Sequence, residues 1–159
     1  MVDNATGEKQ KKKASAKRSQ PRKKERIVTS KSKRKESVAR ASAKAGTGLV
    51  RVNGVNASVI EPLEIREMML ESLSLSGLGN SISKKVDITV NVRGGGYSAQ
   101  AQAVRSAIAR CIAELDEGGS VRKEFMAFDR SLVVDDFRRV EPKKFLGPKA
   151  RARFQTSYR

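Results

Sequence analysis

Alternating apolar and polar residues are clearest in the segment VDITVNVRGGG. Val86, Ile88, Val90 and Val92 share one side of an extended chain, because successive side chains of a strand point to opposite faces. Three glycines end the alternation. The pattern therefore predicts a β-strand with one buried face, followed by a glycine-rich turn.

A second alternation runs through ESVARASAKAGTGLVRVNG, where alanine occupies every second position from residue 39 onward. Arg40 and Lys44 are among the residues between the alanines. Residues 46–48, GTG, supply a turn, apolar residues return at 49–52, and an Asn-Gly pair marks a further tight turn. The stretch predicts a hairpin of two adjacent strands with a basic face toward solvent.

Apolar residues spaced three and four positions apart predict two main helices. In PLEIREMMLESLSL the stripe consists of Ile65, Met68, Met69 and Leu73, Pro62 occupies the first helical position, and SGLGN ends the helix. Two methionines in such a stripe are interpreted as core residues that fill irregular space rather than as a ligand site.

The second main helix, SAQAQAVRSAIARCIAEL, is predicted to have its N-cap at Ser98 and to direct Gln102, Arg105 and Arg110 outward. Cys111 on its inner face is interpreted as a small buried hydrophobe rather than a nucleophile. The predicted inward residues are Ala101, Val104, Ile108, Cys111, Ile112 and Leu115.

Two shorter elements complete the pattern. SVRKEFMAF predicts a third helix with Val121, Phe125 and Phe128 inward, and SLVVDD predicts a last strand. The resulting order, β-β-α-β-α-α-β, describes an α+β fold. We expect a two-layer sandwich in which a four-stranded sheet carries the two main helices on one face.

Charge is distributed unevenly along the 159 residues, whose formal net charge is +17. Residues 1–35 carry 14 basic and 3 acidic side chains, residues 137–159 carry 8 and 1, and the segment between them carries 12 and 13. We predict a nearly neutral body at 31–136 between a flexible basic arm at 1–30 and an extended basic arm at 137–159. Like charges at this density repel until a polyanion neutralises them, which favours nucleic acid as the partner. For the N-terminal arm, a solvated tail that only aids solubility is the alternative.

The composition offers little for catalysis, metal binding or export. A single cysteine cannot form an internal disulfide. The absence of histidine removes the commonest acid–base side chain and the commonest metal ligand. Asp135 and Asp136, as neighbours on a strand, would point to opposite faces. No apolar run is long enough to span a membrane, and none follows the basic N-terminus as in a secretory signal. We predict a cytoplasmic protein that is not an enzyme, with no cofactor, metal or membrane association.

The glycine triplet in VNVRGGGYSAQ leaves three interpretations open. A glycine-rich turn before a helix can be purely structural, or its backbone amides can contact a nucleic-acid phosphate beside Arg93. A mononucleotide site is the third interpretation, although neither G-x-G-x-x-G nor G-x-x-x-x-G-K-[ST] is present.

The C-terminal arm combines cations with rings, since Phe145, Phe154 and Tyr158 are interleaved with lysine and arginine. Rings can stack on unpaired bases, so this mixture suits folded RNA with exposed bases better than a regular duplex. Pro142, Gly147 and Pro148 favour an extended path.

Three segments together resemble a known family. VRGGGYSAQAQAVRSAIARCI, DRSLVVDDFRRVEPKKFLGPKARARFQTSYR and the upstream KRKESVARASAKAGTGLVRVNG are similar to the universal ninth protein of the small ribosomal subunit. The likeness runs from about Lys33 to Arg159, and the ending GPKARARFQTSYR resembles the archaeal and eukaryotic form. Residues 1–30 fall outside it.

The resemblance implies a fold, a location and partners. The implied fold is similar to the second domain of ribosomal protein five, with a left-handed β-α-β crossover. The implied location is the head of the small subunit in the cytoplasm, on ribosomal RNA and beside neighbouring head proteins. Its terminal arm would run through this RNA toward peptidyl-site tRNA.

The resemblance also implies site residues. The tip that would contact tRNA is Ser157, Tyr158 and Arg159, with Arg159 on a tRNA phosphate. Tyr158 and Thr156 stand where relatives often have lysine, which reduces the charge at the tip. The residues expected to bind ribosomal RNA are Lys33, Arg34, Lys35, Arg40, Lys44, Arg93, Arg138, Arg139, Lys143, Lys144, Lys149, Arg151 and Arg153.

Two other classes of function are alternatives. A DNA-compacting protein would also use two basic arms on a neutral body, but duplex binding has little use for the rings of the C-terminal arm. A nucleotide-dependent enzyme built on the glycine triplet would require saturable binding of ATP or GTP.

Overall fold

The computed structural model describes residues 27–75, 81–155 and 157. Within these residues the chain forms five strands and three helices of eight or more residues, together with two short 3-10 turns at Ala57–Val59 and Arg130–Leu132. In chain order the elements are β1 Val28–Arg34, β2 Ser37–Ala45, β3 Val50–Val52, β4 Val55–Asn56, α1 Leu63–Ser74, β5 Val86–Arg93, α2 Tyr97–Leu115 and α3 Ser120–Phe128.

One mixed sheet has the strand order β1-β2-β5-β3-β4. Three of its neighbouring pairs are antiparallel, whereas β3 and β5 are parallel and are connected through α1. The α+β class is therefore confirmed. The predicted number of four strands is wrong, and with it the predicted chain order of elements, because β1 and β4 were not predicted and the predicted last strand does not form.

The predicted hairpin between β2 and β3 is wrong, because both strands pair with β5 instead. The alanines of β2 and the aliphatic residues of β5 lie side by side on the same face of the sheet, with Ala41 opposite Val90. The GTG segment wraps around the start of β5. There, the carboxylate of Asp87 accepts hydrogen bonds from the backbone N–H groups of residues 47–49 at 2.7–3.1 Å. These bonds, above all those from Leu49 and Thr47, lower the pKa of Asp87.

Strand β1 escaped prediction because its inward residues are not apolar. Ser30 and Ser32 are buried, and the Ser30 hydroxyl donates to the Ala107 carbonyl of α2 at 2.7 Å. The thiol of Cys111 lies 3.2 Å from the same hydroxyl, and burial raises the pKa of the thiol. Cys111 is thus a buried residue, as predicted. Residues 28–30, which composition assigned to the N-terminal arm, belong to β1.

Helix α2 covers the inner face of the sheet and is itself packed against α1. Ala39, Ala41 and Ala43 of β2 are 0–2% exposed, and such small side chains allow the helix to lie close to the strands. The predicted inward residues of α2 from Ala101 to Ile112 are buried, and Leu115 is partly buried. The two-layer arrangement follows from this packing.

Several local predictions require correction. Helix α2 begins at Tyr97 with Gly96 in extended conformation as its N-cap, so Ser98 is not the cap. Phe128 ends α3 and is 59% exposed, whereas Val121 and Phe125 are buried as predicted. The predicted end of α1 at 76–80 lies outside the described residues.

The predicted strand at 131–136 is absent, and the chain there forms the second 3-10 turn before an irregular segment. Side chains occupy the free edge of β1 where another strand would pair. The Arg110 guanidinium donates to the Lys31 carbonyl at 2.6 Å, and the Asp135 carboxylate accepts from the Lys33 N–H at 3.1 Å. These contacts satisfy backbone groups that would otherwise pair with a sixth strand.

Candidate nucleic-acid interface

The outer face of the sheet carries a group of exposed cations. The alternation that buries Ser32, Ala39 and Val92 turns their neighbours toward solvent, so that Lys31 and Lys33 of β1, Arg40 of β2 and Arg93 of β5 are exposed on the same side. We call these four residues the open face: Lys31, Lys33, Arg40 and Arg93.

Strand register brings the four residues of the open face together. Lys31 lies opposite Arg40, and Val38 separates Lys33 from Arg93 across the three strands. They line an open concavity of about 920 Å³ with one carboxylate, Glu36, in its wall. Four cations against one acid give this surface a local excess of positive charge.

The side chains of the open face form no ion pair with any described residue, whereas several arginines elsewhere do. Arg105 lies 2.8 Å from Glu71 and 3.1 Å from Asp129. The sequence predicted Arg105 as outward-facing, but its side chain is only 15% exposed. The cations of the body therefore divide into a group that holds the fold together and a group that faces solvent without an ionic partner in the described part of the chain.

Arg110 is the second arginine that the sequence placed on the outer side of α2 and that the fold uses internally. Its guanidinium donates to the Val133 carbonyl at 2.9 Å, to the Lys31 carbonyl at 2.6 Å and to Asp135 at 2.8 Å. We call Arg110 and Asp135 the edge clamp, because together they close β1 and hold the chain that leads into the C-terminal arm.

The environment of Asp135 has opposing effects on its pKa. Partial burial raises the pKa, but the hydrogen bonds from the Lys33 N–H and from Arg110 outweigh it, so the pKa of Asp135 is lowered. Asp136 faces other partners, since it pairs with Arg34 and lies 3.1 Å from the Nε of Arg138. The two aspartates thus bind separate groups, as predicted. They do so from an irregular segment and not from the predicted strand.

The glycine triplet packs against the turn between β1 and β2. Gly94 and Gly95 have φ of +78° and +67°, and a Cβ atom on Gly94 would lie 2.6 Å from the Glu36 carbonyl oxygen. On Gly95 it would lie 2.3 Å from the Ser37 hydroxyl, which donates to the Gly94 carbonyl. A Cβ on Gly96 would meet nothing within 4 Å. Glycine at the first two positions is therefore required by the backbone conformation and by the close packing of the turn.

The C-terminal arm has no regular secondary structure in its described residues, 137–155 and 157. Its rings lie in solvent, with Phe137, Phe145 and Phe154 exposed by 90%, 84% and 72%. Glu141 accepts from Arg151 at 2.8 Å and pairs with Lys144 at 3.1 Å, and these two hydrogen bonds lower its pKa. From residue 140 to 155, the hydrogen bonds between described residues stay within the arm.

The residues expected to bind RNA fall into distinct places. Lys33, Arg40 and Arg93 are on the open face, Lys44 is exposed at the far end of β2, and Lys35 lies in the β1–β2 turn. Arg34 and Arg138 bind Asp136, and Arg139 donates to backbone carbonyls of residues 136 and 138. The others lie along the exposed arm: Lys143, Lys144, Lys149, Arg151 and Arg153.

The tip of the arm is only partly described. Ser157 is exposed, whereas Thr156, Tyr158 and Arg159 lie outside the described residues. Lys31 was not predicted as a site residue. The alternation of VTSKSKR places it on the face of Lys33 once serine is accepted as an inward residue.

In the described ranges, the Cys, Asp and Glu residues form no group of three or more that could hold a metal ion. None of the helices in these ranges is long and apolar enough to cross a membrane.

Fold and charge together place the chain in the class of small, strongly basic α+β proteins. The model of the family described as ribosomal protein S9/S16 matches residues 32–159. The chain belongs to this family of ribosomal proteins. The predicted resemblance is therefore confirmed, and the family has a structural role rather than an enzymatic one.

Curated relatives come from archaea and eukaryotes. Small ribosomal subunit protein uS9 of Halobacterium salinarum is 46% identical over 123 residues, which are 77% of this chain and 92% of the relative. The protein of the same name from Dictyostelium discoideum is 41% identical over 140 residues, 84% of this chain and 94% of the relative. That of Debaryomyces hansenii is 42% identical over 130 residues, 77% and 90% respectively.

Proposed function

We propose that this chain is a structural constituent of the small ribosomal subunit that binds ribosomal RNA of the head and reaches peptidyl-site tRNA with the tip of its C-terminal arm. The observation that carries the proposal is the exposed arm, in which rings and cations face solvent together. Such a segment gains ordered contacts only when a surrounding polyanion with accessible bases supplies them. Family membership supports the ribosome, in the cytoplasm, as the source of that RNA.

The proposal assigns different partners to different parts of the chain. The body and most of the arm bind ribosomal RNA and lie beside neighbouring head proteins, and Ser157, Tyr158 and Arg159 contact tRNA. The parallel β3–α1–β5 connection is the unit on which we base the proposed likeness to the second domain of ribosomal protein five, including its left-handed crossover.

Removing residues 142–159 is expected to impair incorporation into the small subunit severely. The deletion takes away six of the basic residues and two of the exposed rings of the arm, while leaving the core and the edge clamp intact. An N-terminally tagged chain would be expressed beside the native protein in its host, and subunits would be separated on sucrose gradients after a high-salt wash.

A matched variant tests whether charge is the reason. Replacing Lys143, Lys144, Lys149, Arg151 and Arg153 by glutamine keeps the length and the rings of the arm, and we expect it to reproduce most of the defect because phosphate contacts contribute much of the affinity for RNA. Recovery of the truncated chain in small subunits at full stoichiometry would contradict an anchoring role of the arm.

Removing only residues 157–159 is expected to leave assembly nearly intact and to weaken retention of peptidyl-site tRNA. The segment is too short to hold the body, but it carries one cation and one ring. Filter binding of tRNA to purified subunits measures the effect, with Arg159→Gln as the single-charge comparison. Unchanged tRNA affinity in subunits that contain the shortened chain would contradict the proposal that the tip contacts tRNA.

A further inference from the structure

We propose that the open face is a docking site for the sugar–phosphate backbone of double-helical RNA, separate from the C-terminal arm, which takes unpaired RNA. The inference rests on the proposed function and deepens it. It divides the RNA contacts of one small protein between two surfaces with different chemistry.

The geometry of the open face suits a row of phosphates. Its four cations span three adjacent strands, β1, β2 and β5. Strands lie about 4.8 Å apart and residues two positions apart on a strand are separated by about 6.6 Å. The Cα positions therefore cover an area roughly 10 Å by 7 Å, and the long side chains extend this reach. A double helix presents closely spaced phosphates along both strands, so that one such area can contact several.

The open face lacks the groups that bind unpaired bases. The outward positions of β1, β2 and β5 hold no aromatic residue: Thr29, Lys31, Lys33, Val38, Arg40, Ser42, Lys44, Asp87, Thr89, Asn91 and Arg93. Sheets that recognise single-stranded RNA do so by stacking bases on aromatic side chains of the exposed face. Here the hydroxyl and amide groups beside the cations are suited to riboses and phosphates, while Phe137, Phe145 and Phe154 are exposed on the arm.

The cations of the open face are also available without cost to the fold. Their side chains form no ion pair with described residues, in contrast to Arg34, Arg105 and Arg110. RNA can bind them without breaking an ion pair between described residues, and substituting them removes no such pair. Each phosphate neutralised changes the slope of log K against log salt by about −0.9 for a duplex. Loss of four contacts should therefore reduce the slope by about three to four.

The test uses the full chain and two RNA probes of equal length and charge in fluorescence anisotropy. One probe is a hairpin with a long uninterrupted stem, and the other is an unstructured pyrimidine-rich strand. The open-face variant combines Lys31→Gln, Lys33→Gln, Arg40→Gln and Arg93→Gln. The matched control combines Lys84→Gln, Lys85→Gln, Arg122→Gln and Lys123→Gln, four exposed cations outside the open face. Thermal unfolding by circular dichroism confirms that each variant is folded.

We expect the open-face variant to lose at least tenfold in affinity for the hairpin and less than threefold for the unstructured strand, with the flatter salt slope seen only for the hairpin. The control should lose less than threefold for both. Removal of residues 142–159 should show the reverse preference. Equal losses on both probes, or equal losses in the control variant, would overturn the inference while leaving RNA binding itself established. If the unaltered chain bound neither probe, the proposed function would fall as well.

Discussion

Replacing Gly94 by alanine is expected to lower the free energy of unfolding by about 3 kcal/mol. Alanine is strained in the left-handed backbone conformation of this residue, and its Cβ atom would overpack the turn. The φ of Gly94 is +78°, and a Cβ atom would lie 2.6 Å from the backbone carbonyl oxygen of Glu36. A backbone oxygen in a tight turn cannot swing away as a flexible side chain can. The turn between β1 and β2 must move, and with it the edge of the sheet. Urea unfolding followed by circular dichroism measures the change.

The same triplet provides the control. Gly96 has φ of −93° and open space around its Cβ position, so Gly96→Ala should cost no more than about 1 kcal/mol, the loss of a favourable N-cap residue. This pair separates the structural interpretation of the triplet from the phosphate interpretation. If Gly94→Ala left stability unchanged while Gly96→Ala weakened binding to RNA, the turn would be a phosphate site.

Local periodicity predicted the elements whose inner faces are apolar. Strand β5 and helix α2 were predicted almost to the residue, because valine or isoleucine at every second position, and apolar residues at every third or fourth, leave little choice of secondary structure. Strand β1 was missed because Ser30 and Ser32 form its inner face. The burial of those hydroxyls depends on distant acceptors. Ser30 donates to Ala107 of α2, 77 residues away, and Ser32 donates to Asp135, 103 residues away. No local pattern reports such partners.

Strand order depends on contacts that are distant in sequence. A glycine turn between two short strands favours a hairpin, but Asp87 binds three consecutive backbone N–H groups of the turn and directs β3 to the far side of β5. The carboxylate that holds this turn lies about 40 residues beyond it. The alternation in β5 indicates only that Asp87 lies on the outer side of the strand.

The charge of the candidate site was predictable from the sequence. Which cations stabilise the fold and which are available to RNA was not. Net charge and ring content identified the arm, and the alternation in β2 identified Arg40 as outward-facing. The periodicity alone could not distinguish Arg110, which binds the backbone of β1, from Arg40, which has no described ionic partner. The distinction comes from the acids that tertiary structure brings nearby, Asp135 above all. Counting cations in the sequence therefore overestimates the number available to RNA.

Replacing Arg110 by methionine is expected to lower the free energy of unfolding by about 2–4 kcal/mol, because three hydrogen bonds from one largely buried charged donor are lost together. The guanidinium contacts the Val133 carbonyl, the Lys31 carbonyl and Asp135 at once, and its side chain is 17% exposed. Arg110→Lys keeps the charge but not the planar fork, and should recover less than half of the loss. Arg122→Met, an exposed arginine on the neighbouring helix, should change stability by less than about 0.5 kcal/mol.

Lowering the pH should reduce the difference in the free energy of unfolding between the unaltered chain and Arg110→Met. The pKa of Asp135 is lowered from its ordinary value of 3.8, so the stability that its carboxylate contributes is fully present above that value and is lost as pH falls through the lower pKa of the folded state. Once Asp135 is protonated, Arg110 keeps its two carbonyl contacts but loses its ionic partner. Urea midpoints measured from pH 7 down to pH 2.5 should therefore converge in part for the two proteins. A constant difference over this range would show that the clamp acts through the carbonyls alone and that Asp135 does not share in closing the edge of β1.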